Sequence, residues 1–203
     1  MQPSTIRAAI LLFTLAYLVA GALWFYQLGE REYLWYVGLI LLSGSIVWYF
    51  IRHLDIPLSI LAALSLAGLM HLAGRLVTVG DGILYEYVIY PFIQGSDPQA
   101  VILKYDQLLH FYGYGIAALG IRFLFAKYAP ELNARMRIAL SVLAAAGIGS
   151  VNEIAEFLAT VFFSTTHVGN SYNTGLDLLA NFLGALFAIT LVETYARLKR
   201  STS

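Results

Sequence analysis

Residues 175–196 read GLDLLANFLGALFAITLVETYA. A helix that crosses the hydrocarbon core of a bilayer needs about 20 mostly apolar residues, and this stretch meets that requirement. Asp177 and Asn181 lie four residues apart within it, so both face one side of the helix. Small residues, which favour close helix packing, recur at the same spacing: Ala180, Gly184 and Ala188. The stretch therefore predicts a membrane helix that buries a polar pair against neighbouring helices.

Five further segments share this apolar character. The 203-residue chain is 60% hydrophobic and 12% charged, which is about half the charged fraction of a typical soluble domain. The alternating pattern of a membrane barrel is missing, and helices satisfy their own backbone in lipid. We therefore predict an all-α, polytopic membrane protein, a six-helix transmembrane bundle that forms a single domain over residues 1–203. Its predicted spans are 7–27, 33–51, 56–77, 106–126, 137–163 and 175–196.

Basic residues are distributed unevenly between the two sides of these spans. With the N-terminus in the cytoplasm, the inner side receives nine Lys and Arg residues and the outer side three. Positive charge favours the cytoplasmic side, so we predict that the N- and C-termini are both cytoplasmic. The first apolar run is long for a signal peptide, and we expect it to be retained as a span. The stretch 83–93, which is rich in aromatic residues, then lies outside, either as a lid on the outer leaflet or as an ordinary packed loop.

Polar pairs at four-residue spacing also occur in three other predicted spans. These pairs are His71/Arg75, Asp106/His110 and Asn152/Glu156, and Glu153 lies beside the last pair. In the predicted orientation, all four pairs fall in the outer half of the bilayer. Ionisable groups are costly in a membrane and normally face the protein interior. We therefore expect the pairs to line one outward-facing intramembrane pocket.

The leading functional hypothesis follows from the charges of this pocket. Four carboxylates face one arginine, so protons or a cation must neutralise the surplus. Imidazole with carboxylates is a ligand set for zinc, manganese or iron. We predict a metal-assisted enzyme or accessory factor. Its predicted metal ligands are Asp106, His110, Glu156 and Asp177, its catalytic residues are Glu153 and Glu156, and its substrate-binding residues are Arg75, Asn181 and Asn152.

Two alternative functions use the same residues. Clustered Asp, Glu and His also form proton relays, so a proton-coupled transporter or a small-molecule binder is one alternative, and a homodimer would suit it. The other is a structural membrane subunit whose polar groups are interhelical hydrogen-bond partners. Glu193 is expected to pair with Arg197, four residues later. The chain has no Cys and a formal net charge of zero, so nothing indicates a thiolate metal site or a nucleic-acid partner.

Three stretches carry a resemblance to known families: KYDQLLHF at 104–111, NEIAEF at 152–157 and GLDLLANFLG at 175–184. The chain resembles the YjdF-like family and the broader VanZ-like group of small bacterial inner-membrane proteins. Their shared pattern is matched at Asp106, His110, Glu153, Glu156 and Asp177. The resemblance implies a multi-pass protein of the bacterial or archaeal cytoplasmic membrane, and it points to an envelope lipid or lipid-linked substrate. The chain departs from the family pattern at residues 170–174.

Overall fold

The computed structural model describes residues 3–28, 54–92, 103–163 and 169–202, together with Gly38, Leu41 and Ser45. These residues are mostly helical, and five of the helices are long and apolar enough to cross a membrane. The predicted span 33–51 lies outside the described residues, apart from the three single positions. The helices are α1 Pro3–Leu28, α2 Leu58–Leu76, α3 Tyr105–Tyr128, α4 Ala134–Phe162 and α5 Ser171–Ser201.

Polar side chains fix where the last three helices begin. The Gln107 side chain accepts a hydrogen bond from the backbone N–H of Lys104, just before α3. The Asn133 side chain accepts one from the N–H of Met136 at the start of α4. Asn170 accepts two from the first turn of α5, which satisfies backbone donors that a helix start leaves unpaired. This cap explains why α5 begins at Ser171, earlier than the predicted start of the span at residue 175.

The chain divides into two compact units, and the first comprises Met1–Ala73 with Ala155–Val168. In this unit α1 and α2 pack side by side. The Thr14 and Ser65 hydroxyl oxygens lie 2.6 Å apart, and the Tyr17 hydroxyl donates to the Ser65 carbonyl at 2.9 Å. Closer to the start of both helices, Arg7 Nη2 donates to the Ile56 carbonyl at 2.8 Å. Because these contacts advance in the same direction along both segments, α1 and α2 run parallel.

The second unit comprises Gly74–Ile154 and Gly169–Ser203. Here α3 and α5 also run parallel, because residues near their starts bond each other and Arg122 bonds Glu193 near their ends. The α4 residues of this unit run antiparallel to both. Between the two ends lies an apolar core cluster of Ala118, Val142, Ala145, Ala185 and Ile189. This three-helix packing brings the predicted polar residues of α3 and α5 to one end.

A short irregular segment precedes α3. Two strands, β1 Thr78–Val79 and β2 Gly82–Ile83, form a hairpin, and a 3₁₀ turn follows at Leu84–Glu86. The chain then pairs with the residues just before α3. Ile89 N donates to Leu103 O at 3.0 Å, and Tyr105 N donates to Tyr87 O at 2.9 Å. The described part of the stretch 83–93 is therefore held against the beginning of α3.

The ion pair at the far end of the second unit differs from the expected one. Glu193 Oε1 accepts hydrogen bonds from Arg122, with 2.7 Å to Nε and 2.5 Å to Nη2. The expectation that Glu193 pairs with Arg197 on its own helix was wrong. Parallel packing of α3 and α5 places the guanidinium of Arg122 opposite Glu193, where two of its N–H groups reach one oxygen.

The close approach of α3 and α5 depends on Gly184. A Cβ at this position would overlap the backbone carbonyl of Phe111 on α3, and a backbone atom cannot move aside as a flexible side chain can. The predicted role of Gly184 in close helix packing is confirmed. Gly147, in the middle of α4, faces open space instead.

These two glycines give opposite predictions for the same substitution. We expect Gly184→Ala to lower the free energy of unfolding by about 1–3 kcal/mol, because the helices must separate. Gly147→Ala should leave stability unchanged or raise it by up to about 1 kcal/mol through helix propensity. Thermal unfolding of the detergent-purified variants measures both. Equal melting temperatures for Gly184→Ala and the unsubstituted protein would contradict the described packing.

Candidate cation site

Five polar side chains of the second unit meet near the start of α3 and α5. Asp106 and His110 come from α3, Asp177 and Asn181 from α5, and Glu153 from α4. Four of them are at most 5% exposed, and Asp106 is partly buried. The four-residue spacing within α3 and within α5 directs each pair to the same face, as the sequence predicts. The site is therefore a buried polar cluster between helices.

Asp177 is held by amide donors from two helices. Gln107 Nε2 donates to Asp177 Oδ1 at 2.7 Å, and Asn173 Nδ2 donates to Asp177 Oδ2 at 2.5 Å. The same Asn173 nitrogen lies 3.0 Å from Asp106 Oδ2, so one amide bridges the two carboxylates. Hydrogen bonds to a charged group offset part of the cost of burying it. The bridge therefore allows two carboxylates to lie close together inside the protein.

His110 presents its two ring nitrogens to different partners. Nδ1 lies 2.9 Å from Asn181 Oδ1 and 3.5 Å from Glu153 Oε1. Both neighbouring atoms are acceptors, so Nδ1 carries a hydrogen and donates it to Asn181. Nε2 points the other way and lies 3.6 Å from Asp106 Oδ1. In the neutral ring, Nε2 is then the nitrogen with a lone pair available, and it faces a carboxylate.

Gly149 on α4 makes room for the amide that orients His110. A Cβ at Gly149 would lie 2.5 Å from Asn181 Nδ2, so any larger residue would displace that side chain. Asn181 is fully buried, and its Nδ2 finds no acceptor within the described parts of the chain. Its carbonyl oxygen, by contrast, bonds His110. This arrangement gives Asn181 a clear structural role in fixing the ring.

Three side chains of the cluster are spaced to hold one cation. Asp106, His110 and Asp177 each offer a ligand atom, and these atoms all lie within 4.8 Å of one another. Ligands about 2.1 Å from a shared ion lie at most about 4.2 Å apart, so only a small closure is needed. The bonds from Gln107 and Asn173 do not prevent ligation, because each carboxylate oxygen has a second lone pair. Such outer contacts are common around metal ligands.

The described side chains of the cluster include more acidic than basic groups. Asp106, Asp177 and Glu153 can contribute three negative charges, whereas His110 contributes at most one positive charge. Lys104 lies at the edge, where its Nζ is 3.5 Å from Asn173 Oδ1. Carboxylates buried without compensating charge are strongly unfavourable. A divalent ion between Asp106, His110 and Asp177 would offset the charges of the two aspartates.

Comparison with known proteins places the whole chain in one family. A family model described as "Predicted membrane protein (DUF2238)" matches residues 7–198. The chain belongs to this family. Together with the five candidate membrane helices, the match makes this DUF2238 member a multi-pass membrane protein embedded in a lipid bilayer. No curated protein and no solved structure matches the chain. The family description names no activity.

The structure brings together three of the four predicted metal ligands. Asp106, His110 and Asp177 converge, and the predicted catalytic residue Glu153 adjoins His110. Glu156, the fourth predicted ligand, follows Glu153 by three residues on α4, in the part of that helix that belongs to the first unit.

The predicted substrate-binding residues fall in different places. Asn152 is half-buried beside Glu153, and Arg75 is half-buried in the last turn of α2. Asn181 is fully buried and bonded to His110. The roles assigned to these three residues from the sequence remain predictions.

Two residues of the site were missed from the sequence. Asn173 lies before the predicted span 175–196, and Gln107 was assigned no role. A signal for both existed. Asn173 precedes Asp177 by four residues, which extends the polar face of α5 by one turn. Gln107 precedes His110 by three residues, which places it on the polar face of α3.

We expect Asn173→Leu to destabilise the protein by about 2–3 kcal/mol, because it removes a donor from two buried carboxylates. Tyr172→Leu is the matched control, since Tyr172 lies in the same turn and is half exposed. That change should have little effect on stability. Thermal unfolding at neutral pH compares the two, and an equal loss in both variants would argue against the bridging amide.

Proposed function

We propose that this protein is a membrane-embedded, metal-assisted enzyme or accessory factor that acts on an envelope lipid or lipid-linked substrate. The observation that supports this proposal is the convergence of Asp106, His110 and Asp177, whose ligand atoms lie within 4.8 Å of one another. Two carboxylates and an imidazole suit zinc, manganese or iron(II). Their position near the ends of two candidate membrane helices would bring the site close to lipid headgroups.

The residues around this set divide into roles. Asp106, Asp177 and Nε2 of His110 hold the ion, and Asn181 fixes the ring by accepting the hydrogen bond from Nδ1. A divalent metal supplies Lewis-acid chemistry, which polarises a phosphoryl or carbonyl group or a water molecule. Glu153 lies 3.5 Å from Nδ1, on the side of the ring away from the ion, and it is the proposed general base for a proton of the substrate. The proposal also includes Glu156 as a further ligand or base. The proposed substrate contacts are Asn152, Asn181 and Arg75, and Arg75 would bind an anionic group.

The proposed topology is a six-helix bundle that forms one transmembrane domain with cytoplasmic termini. Since α1 and α2 run parallel, the proposal includes one further crossing of the bilayer between them. The predicted span 33–51 is proposed to make that crossing. The excess of Lys and Arg on one side then directs the cation site outwards. We further propose the bacterial or archaeal cytoplasmic membrane as its location, a YjdF-like or VanZ-like relationship, and a homodimer as its assembly.

A purely structural role is the second candidate, and one observation favours it. Both oxygens of Asp177 already accept hydrogen bonds from amides, so the cluster could act as interhelical contacts alone. The transporter alternative finds less support. A polar path along α3 and α5 would have to pass the apolar cluster around Ala118 and Ile189, and transport needs polar groups on both sides of the midplane.

Metal content separates the proposed function from the structural role. We expect detergent-purified protein to carry about one transition metal ion per chain, measured by elemental mass spectrometry after exposure to zinc, manganese and iron(II). His110→Ala and Asp177→Asn should each lower that content at least tenfold, because each removes a ligand. Glu193→Gln, at the other end of the unit, is the control and should retain the metal.

Absence of metal from the folded, supplemented protein would overturn the cation site and leave the structural role. Retention of metal by folded His110→Ala would also count against the proposed ligand set. Monodisperse elution in size-exclusion chromatography shows that each variant has folded.

Glu153→Gln tests the catalytic part of the proposal separately. We expect this variant to keep its metal and to lose about 10²–10⁴-fold in turnover, because an amide cannot accept the proton. The probe is a total polar lipid extract of bacterial membranes, with lipid consumption followed by mass spectrometry. Glu131→Gln is the control, since Glu131 is exposed between α3 and α4. Metal binding without lipid turnover in the unsubstituted protein would favour a binding or accessory role.

A further inference from the structure

The segment that precedes α3 exposes several aromatic and aliphatic side chains. Tyr87, Tyr90 and Phe92 are 49%, 57% and 63% exposed, and Val88 and Ile89 are about 40% exposed. The rings of Tyr90 and Phe92 contact each other edge to face, with centroids 4.7 Å apart. Residues 87–92, which we call the aromatic segment, read YVIYPF and contain no charge. An exposed, contiguous apolar surface of this kind marks an interaction site.

Backbone pairing fixes the level of this segment relative to α3. Tyr87 O accepts from Tyr105 N, and both Ile89 N and Tyr90 N donate to Leu103 O at 3.0 and 3.2 Å. Val88 also forms a bridge with Lys104. Because α3 starts at Tyr105 and is a candidate membrane span, the aromatic segment lies where that helix enters the bilayer.

Two acidic residues precede the aromatic segment. Asp81, at the tip of the hairpin, and Glu86, just before the segment, are both exposed and charged. Residues 87–92 themselves carry no charge, and Lys104 pairs with Val88 through the backbone. Tyr and other aromatic rings with this placement are enriched at the level of lipid headgroups, where one end is wet and the other apolar.

We propose that the aromatic segment docks into the lipid–water interface of the bilayer that the helices cross. The exposed apolar side chains provide the contact, so docking does not depend on anionic lipid. Its consequence is a fixed height for the start of α3. Asp106 and His110, the second and sixth residues of that helix, then lie within about 10 Å of the interface at 1.5 Å per residue. Lipid headgroups can reach this depth.

The cysteine-free chain allows a clean measurement of depth. Single-cysteine variants carry a spin label, and their accessibility to oxygen and to a water-soluble nickel chelate is compared in reconstituted vesicles. Tyr90→Cys and Phe92→Cys report on the aromatic segment. Asp81→Cys gives the aqueous reference, and Ile148→Cys, exposed in the middle of α4, gives the hydrocarbon reference.

We expect the ratio of oxygen to chelate accessibility at Tyr90→Cys and Phe92→Cys to lie between the two references. It should be the same in pure phosphatidylcholine and in mixtures with phosphatidylglycerol. A ratio equal to that of Asp81→Cys would place the segment in water and overturn the proposal. Labels inaccessible to both reagents would show that another protein surface covers it, and a ratio that changes with phosphatidylglycerol would show charge-driven contact. Either result would also overturn the proposal.

Discussion

A carboxylate inside a membrane-spanning bundle must find hydrogen-bond donors, and the second unit is arranged around that constraint at Asp177. Placing a charge in the membrane costs about 3 kcal/mol on insertion scales, and each hydrogen bond to a charged group returns about 1.5–3 kcal/mol. The stabilisation from the two hydrogen bonds that Asp177 accepts is therefore comparable with the free-energy cost of placing its charge in the membrane. Gln107 on α3 donates to Asp177 on α5, and Asn173 on α5 donates to Asp106 on α3, so these two bonds hold the helices parallel and in one register. The same register sets His110 beside Asn181, and Arg122 beside Glu193.

Short side chains make this register sterically feasible. Gly184 lets the backbone of α5 approach that of α3 at Phe111, and Gly149 gives Asn181 space against α4. Asn, Gln and Asp side chains extend only a few ångströms from the backbone. If the helices lay farther apart, these side chains could not form hydrogen bonds between them. Polar bonding and close packing thus depend on each other, because lipid provides no hydrophobic drive that would hold helices together in their absence.

Much of this arrangement was predictable from the sequence, for definite reasons. Long apolar runs identify membrane helices, and four-residue spacing identifies the polar faces of α3 and α5, so Asp106, His110, Asp177 and Asn181 could be grouped. The partner of Glu193 could not be found in this way, because a neighbour on another helix depends on the register between helices. Asn173 was missed because its turn was assigned to a loop, although the Asn170 cap extends the helix over it. The bridge between two carboxylates depends on distances that no single-helix pattern contains.

The two ring nitrogens of His110 face different polar groups, so the ring links three neighbours within the cluster. Amide donors lie beside both aspartates, and Lys104 lies at the edge of the cluster, as in a structural network. Here Asn181 and Glu153 both face Nδ1, so the ring's hydrogen is directed away from the two aspartates. Nε2 is left facing Asp106 as a lone pair, and two groups rich in electrons would repel each other unless a proton or a cation lay between them. Histidine ligands commonly donate from the other nitrogen to a carbonyl or carboxylate, and the bond to Asn181 gives His110 the same orientation.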